Sequence, residues 1–156
     1  MKKFAFDLQG VLDIKEKLEG QARVDFGVAR AKLTAEEEKK ETLVRQRSGY
    51  EEELKGTMTG RLDVLEVNRL KSAVNVMNER IRVQDTAVKR AERQLESARI
   101  KLNRVVQERK TIEKLREKKF EEYMKETDAE ERKLVDELVS YRYTVAAKDE
   151  VGGYSE

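Results

Sequence analysis

The sequence predicts an all-α fold: a long antiparallel two-helix coiled-coil hairpin with a projecting C-terminal helix. Only 38% of the 156 residues are hydrophobic, 42% are charged, and none is proline. Apolar residues recur at steps of three and four along two long stretches, which a segment rich in glycine and threonine separates. Because so little apolar material cannot fill a compact core, helices that share a narrow seam are the expected fold.

The first stretch predicts a helix over about residues 5–55. Its seam alternates steps of three and four, with one step of four in place of three at Phe26. Four polar residues interrupt it, and the three basic ones can lay their long stems along the seam while their charges reach water. The predicted seam positions are Leu8, Val11, Lys15, Leu18, Ala22, Phe26, Ala29, Leu33, Glu36, Lys40, Leu43, Arg47, Tyr50 and Leu54.

A turn follows over about residues 56–61, in the segment LKGTMTGR. Gly56 and Gly60 stand there among threonines, where backbone-permissive and helix-poor residues cluster. Two long helices joined by a short loop must run antiparallel.

The second helix is predicted over about residues 62–143, and its first half has the cleaner seam. The alternation of three and four is strict there, and only Gln84 and Arg109 are not apolar. The predicted seam positions are Val67, Leu70, Val74, Met77, Ile81, Gln84, Val88, Ala91, Leu95, Ala98, Leu102, Val105, Arg109 and Ile112.

The register between the two helices follows from the position of the turn. In an antiparallel pair centred near Gly60, Tyr50 faces Leu70 and Glu36 faces Gln84, so two polar interruptions meet. The first helix is used up opposite Ile112. Residues beyond about 115 are therefore expected to lack an intrachain partner, as some 45 Å of projecting helix, and residues 146–156 are expected to form a flexible tail.

The composition argues against catalysis. Without cysteine or histidine the chain has no thiol nucleophile, no usual neutral-pH base and no typical zinc ligands. We expect no enzyme activity, no cofactor and no metal. The start MKKFAFDLQG is too interrupted for a secretory leader, no window could span a bilayer, and a cytoplasmic protein is expected. Because 34 basic and 32 acidic residues nearly cancel, a nucleic-acid surface is not expected.

Three segments resemble the FliJ family of the flagellar type III export apparatus over roughly residues 3–143. They are the opening FAFDLQGVLDIKEKLEGQARVDFGVARAKL, the turn near Gly56 to Gly60, and the late EKLREKKFEEYMKETDAEERKLVDELVSYRY. The resemblance implies a non-enzymatic coiled coil like the central stalk of rotary ATP synthases. Its implied partners are the hexameric export ATPase, whose ring assembly it promotes, the linker of the membrane-embedded export gate, and substrate chaperones. Membrane association would be peripheral, through the gate.

The resemblance implies two contact surfaces. The end that holds both termini would enter the ATPase ring, and a surface near the hairpin tip would meet the gate. The candidate ring contacts are Phe4, Phe6, Leu8, Phe120, Tyr123, Leu134, Leu138 and Tyr141. The candidate gate contacts are Leu43, Gln46, Tyr50, Leu70, Ala73 and Met77.

Other interpretations of the same residues stay open. Leu43, Tyr50, Leu70 and Met77 also fit simple seam packing. Phe4 and Phe6 could belong to a frayed helix start. A generic structural coiled coil that dimerises through its late helix is the alternative function, and a hairpin that binds a membrane or nucleic-acid surface ranks third because acidic and basic residues are interspersed.

Overall fold

The computed structural model describes residues 3–151, which form two long helices and no strand. Helix α1 spans Gln9–Met58 and α2 spans Val64–Val151. Their residues fall into two compact units. The first, here called the hairpin unit, is Lys15–Gln107; the second, the end unit, combines Met1–Ile14 with Glu108–Glu156. The predicted all-α class is confirmed.

Cross-helix bonds show that the hairpin unit is an antiparallel pair. The Lys40 ammonium lies 2.6 Å from an Asp85 carboxylate oxygen. Farther along α1, Arg47 donates a 3.0 Å hydrogen bond to the side-chain oxygen of Asn78. The contacted residue number falls on α2 as it rises on α1, which only an antiparallel pair allows.

The predicted register is confirmed where the two polar interruptions meet. The Gln84 side-chain amide donates hydrogen bonds to the backbone carbonyl of Glu36 at 2.9 Å and to its carboxylate at 2.5 Å. This polar layer satisfies both groups at once, whereas a shifted register would set each against an apolar side chain.

The burial pattern confirms the α2 seam and corrects the first turns of α1. Every predicted seam residue of α2 is buried or half-buried, and Leu70 is fully buried. On α1, however, Val11 and Leu18 are exposed, while their neighbours Leu12 and Glu19 are buried. The true seam therefore alternates strictly, without the irregular step predicted at Phe26.

Continuity of the supercoil explains why Glu19 is buried in place of the apolar Leu18. A heptad seam stays on one face only if steps of three and four alternate, so counting back from Ala22 leads to Glu19 and then to Leu12. Glu19 is tolerated because Arg23, one turn later, contacts its carboxylate at 2.6 Å.

The turn is built differently from its prediction. Helix α1 continues through Gly56, so the segment between the helices is residues 59–63 rather than 56–61. The Thr59 hydroxyl donates to the carbonyl of Gly56, one of the last four carbonyls of α1, and the Thr57 hydroxyl donates to the carbonyl of Leu54. No described glycine has a positive φ. Side-chain capping therefore replaces the glycine conformations that the sequence indicated.

Asp63 caps the start of α2. Its carboxylate accepts a 3.1 Å hydrogen bond from the backbone N–H of Leu65, and its carbonyl accepts the first helical bond from Val67 at 3.0 Å. These are the marks of an N-cap aspartate. The acidic residue in the first turn, Glu66, also suits the positive end of the helix dipole.

Both outer helix ends differ from their predictions. Helix α1 begins at Gln9 instead of about residue 5, and residues 3–8 are not helical. Helix α2 continues past residue 143 to Val151, so residues 146–151, predicted as tail, are helical. Neither glycine nor proline occurs between residues 62 and 151 to stop it. The rest of the predicted tail, residues 152–156, lies outside the described residues.

Candidate partner-binding site

The N-terminal segment of the end unit packs on α2 through an aromatic cluster. The Phe4 ring meets Phe120 edge-on at 5.1 Å between centroids and lies 5.4 Å from Tyr123. The guanidinium of Arg116 lies 6.0 Å from the centre of the Phe4 ring. The prediction that residues beyond about 115 lack an intrachain partner is therefore wrong for Phe120 and Tyr123.

Residues 3–8 and α2 line an open groove of about 480 Å³. Its α2 side consists of Leu115, Lys119, Glu122, Tyr123 and Glu126. The segment is held where it enters the helix, since the Gln9 N–H donates to the Phe6 carbonyl at 3.0 Å. Sequence periodicity could not find this packing because the segment is not helical.

The candidate ring contacts consequently form two sets with different surroundings. The fold brings the first set together, because four of its members line the groove and Phe120 contacts the ring of Phe4. Phe4, Phe6 and Tyr123 are half-buried there, while Leu8 and Phe120 keep more exposure. The second set lies farther along α2 and consists of Leu134, Leu138 and Tyr141.

The last part of α2 carries apolar side chains that nothing in the described chain covers. Every residue from 128 to 150 is exposed. Leu134, Leu138 and Tyr141, predicted from the sequence, are 59%, 65% and 70% exposed, and Val145 continues their alternation of four and three. These four residues are here called the bare stripe. For them, the prediction of an unpaired helix face agrees with the structure.

Burial divides the candidate gate contacts. Leu70 and Met77 are buried in the seam and could reach a partner only if the helices separated. Leu43, Tyr50 and Ala73 are half-buried, and Gln46 is exposed. Seam packing is therefore the correct interpretation for Leu70 and Met77.

A shallow groove of about 430 Å³ opens beside the accessible gate candidates. Leu43, Val76, Val83 and Gln84 line it, with Glu79 and Arg80. Val76 and Val83 are substantially exposed, and sequence reasoning missed them. Their signal was present: each directly precedes a seam position, and one heptad separates them.

The turn region exposes a further apolar group that sequence reasoning missed. Met58, Leu62, Val64 and Leu65 are all more than half exposed. They stand within or beside the segment that was identified only by its glycines and threonines.

No described cluster of acidic, histidine or cysteine side chains could hold a metal ion, and no described helix could cross a membrane.

Electrostatics favour the charged state of the polar layer in the hairpin unit. The hydrogen bond from Gln84, followed by one from Lys39, lowers the pKa of Glu36 below its ordinary 4.5. The hydrogen bond from Lys40 likewise lowers the pKa of Asp85. In the end unit, Lys119 lowers the pKa of Glu122 in the same way. Each carboxylate is thus held in its ionised form.

Comparison with known proteins agrees with this geometry. A family model described as flagellar FliJ protein matches residues 4–148. The chain is similar to the solved structure of a YscO homolog, CT670, from Chlamydia trachomatis, with a TM-score of 0.67 and 19% identity, over 94% of this chain and 99% of that one. None of the curated proteins matches. Since the family model covers nearly all described residues, the chain belongs to the flagellar FliJ protein family.

Proposed function

We propose that this component of type III export acts in the cytoplasm as a stalk-like, non-catalytic subunit. It binds the hexameric flagellar export ATPase, promotes assembly of the ring and couples it to the export gate, and it escorts substrate chaperones. Family membership supports the role in export. The observation that carries the ATPase interaction is the bare stripe, an apolar helix face that the chain itself leaves uncovered.

The exposure of the bare stripe is a cost that binding would relieve. Fully burying a large apolar side chain contributes roughly 1.5–3 kcal/mol. Leu134, Leu138 and Tyr141 repeat at the spacing with which a helix enters a groove or a seam. A contiguous exposed apolar face of this kind marks an interaction site.

Charged replacements in the bare stripe test the ATPase interaction. We expect Leu134→Glu with Leu138→Glu to abolish binding to the purified ATPase and stimulation of its hydrolysis. Helix content and melting temperature should barely change, because these side chains have no partner in the described chain. The matched control is Ala129→Glu with Ala147→Glu, on the opposite face of the same helix, which should bind normally. Equal binding by both variants would reject the proposal.

For the gate we propose the accessible surface beside the polar layer. Leu43, Gln46, Val76 and Val83 supply it, whereas Leu70 and Met77 are buried in the seam. Docking of an extended linker in the groove lined by Leu43, Val76 and Val83 would bury the two valines without separating the helices.

A pair of equally exposed valines separates gate docking from general surface effects. Val83 is 61% exposed and Val24 is 60% exposed, and both lie in the hairpin unit. Val83→Asp should weaken binding of the purified gate linker at least tenfold and leave ATPase stimulation intact. Val24→Asp should change neither. If both valine variants bind the linker like wild type, gate docking lies elsewhere.

A further inference from the structure

Polar residues flank the bare stripe on the same helix face and restrict what can pair with it. Counting back from Leu134 by three reaches Glu131, and counting on from Val145 by three reaches Lys148. Both residues are helical and exposed. The face therefore reads Glu131, the four apolar residues of the bare stripe, and Lys148: an acidic residue at one end and a basic residue at the other.

The hairpin unit shows how this chain handles such interruptions. Glu36 occupies a seam position there, and its carboxylate meets Gln84 of the opposite helix at 2.5 Å. The register of the pair is the one in which these two polar seam positions meet, whereas a shifted register would set each against an apolar side chain. A helix that pairs with the end of α2 has to meet the same condition.

A second copy of the chain satisfies this criterion when it runs antiparallel. With Leu138 opposite Tyr141 of the second copy, Leu134 falls opposite Val145 of the second copy. In the same register Glu131 falls opposite Lys148 of the second copy. Because the arrangement is two-fold symmetric, each of these three layers occurs twice, and no carboxylate in them is left without a cation.

We propose that the bare stripe is a self-association surface, on which two copies pair as a short antiparallel coiled coil with Glu131 facing Lys148 of the second copy. The paired segment, residues 131–148, is about 27 Å long. A parallel pair is disfavoured, since it would place Glu131 against itself and Lys148 against itself.

The end unit leaves room for this pairing. Helix α2 of the second copy ends its described course at Val151, which falls opposite Asp128. The described part of this helix therefore stops short of Tyr123 and the aromatic cluster around Phe4. At the border of the interface, the stem of Arg142 can cover the exposed Val135 of the other copy.

Self-association through the bare stripe would compete with its proposed binding to the ATPase ring. The same side chains would serve a second copy and the proposed ATPase interface, so the two states exclude each other. Self-pairing would then keep the apolar face covered until the ring takes its place. The self-association itself follows from the register and does not require the ATPase interaction.

Charge reversal tests the register directly. By sedimentation velocity between about 1 µM and about 1 mM, the wild-type chain should shift reversibly from monomer to dimer. Glu131→Lys and Lys148→Glu should each weaken dimerisation by about tenfold or more, because each places like charges in two layers. The double variant should restore it. An equimolar mixture of the two single variants should form a heterodimer, since each cation then meets a carboxylate.

Several outcomes would overturn this inference. These are a wild-type chain that stays monomeric at the highest concentration, single variants that dimerise like wild type, or a double variant that does not recover. Circular dichroism of each variant checks that the helix is retained. Failure of self-association with normal ATPase stimulation would reject this inference alone. A dimer that behaves as described without any effect on the ATPase would reject the proposed function and leave the inference standing.

Discussion

The hairpin unit and the end of α2 both carry apolar residues at heptad spacing, but these residues are packed in the hairpin unit and exposed at the end of α2. In the hairpin unit the apolar seam positions are buried or half-buried, and polar interruptions meet partners, such as Glu36 with Gln84 and Lys40 with Asp85. Along residues 128–150 the pattern continues, but every side chain is exposed. Heptad periodicity therefore indicates a face that can pair, and only the rest of the chain determines whether that face is core or binding surface.

The aromatic cluster lies between these extremes. Phe4, from a non-helical segment, covers part of Phe120 and Tyr123, yet Phe120 remains 46% exposed. A short, irregular segment thus covers α2 only partially. The comparison predicts that substitutions will cost most in the hairpin unit, less at the cluster, and least on the bare stripe.

The largest expected effect is at Leu70. It has no exposed surface, so Leu70→Ala should lower the free energy of unfolding by about 2–5 kcal/mol, through lost burial and the cavity left behind. Leu138→Ala, at 65% exposure, should change it by less than about 0.5 kcal/mol. Urea unfolding followed by circular dichroism measures both at a concentration where the chain is monomeric. If the two variants lose equal unfolding free energy, Leu138 is packed in a core like Leu70 and the proposed difference between the two regions is wrong.

A smaller effect is expected at Phe4. Phe4→Ala removes two ring contacts of a half-buried side chain, and we expect a loss of about 1–2 kcal/mol. Amide hydrogen exchange should rise around residues 115–126 and remain unchanged at Leu70. Phe4→Leu, which keeps apolar bulk, is the matched control and should lose less than half as much. Unchanged exchange in Phe4→Ala would mean that the segment does not shield α2.

In the turn, the expected loss of stability is that of a single helix N-cap. Asp63→Ala should cost about 1 kcal/mol because the Leu65 N–H loses its acceptor. Gly60→Ala should be neutral or slightly stabilising, because Gly60 has no positive φ and a Cβ there meets open space. The pair is compared by thermal unfolding. If Gly60→Ala lowers the melting temperature more than Asp63→Ala does, the turn depends on its glycines rather than on the Asp63 cap.

The smallest effect is a change in acid sensitivity at the polar layer. Because the pKa of Glu36 is lowered in the fold, chiefly by Gln84, its carboxylate stabilises the protein above the ordinary pKa of 4.5. That contribution is lost as the pH falls through the lower pKa of the folded state. Glu36→Gln should therefore flatten the dependence of unfolding free energy on pH below 4.5, measured by urea titrations at successive pH values.

Gln84→Ala supplies the matched control for this measurement. Without its chief hydrogen-bond donor, the pKa of Glu36 should return toward its ordinary value, so this variant should show a similar flattening. Combining Gln84→Ala with Glu36→Gln should flatten the dependence no further than Glu36→Gln alone. Fully additive changes would mean that the two side chains do not interact in solution.

The sequence by itself determined the helices, their antiparallel order, the α2 seam and the layer of Glu36 with Gln84. These follow from periodicity and turn position, which are local properties of the chain. It also indicated the stripe through Leu134, Leu138 and Tyr141, because an uncovered face has the same period as a covered one.

Only the tertiary structure decided the phase of the first turns of α1 and the packing of Phe4 on α2. The choice of Leu12 over Val11 depends on where the partner helix lies, since neighbouring positions are both available until supercoiling selects one face. The contacts of Phe4 come from a segment without a period, which no repeat in the sequence could reveal. The pairing of the two helices follows from regular heptad geometry. The covering of an exposed helix face depends instead on which irregular segment packs against it.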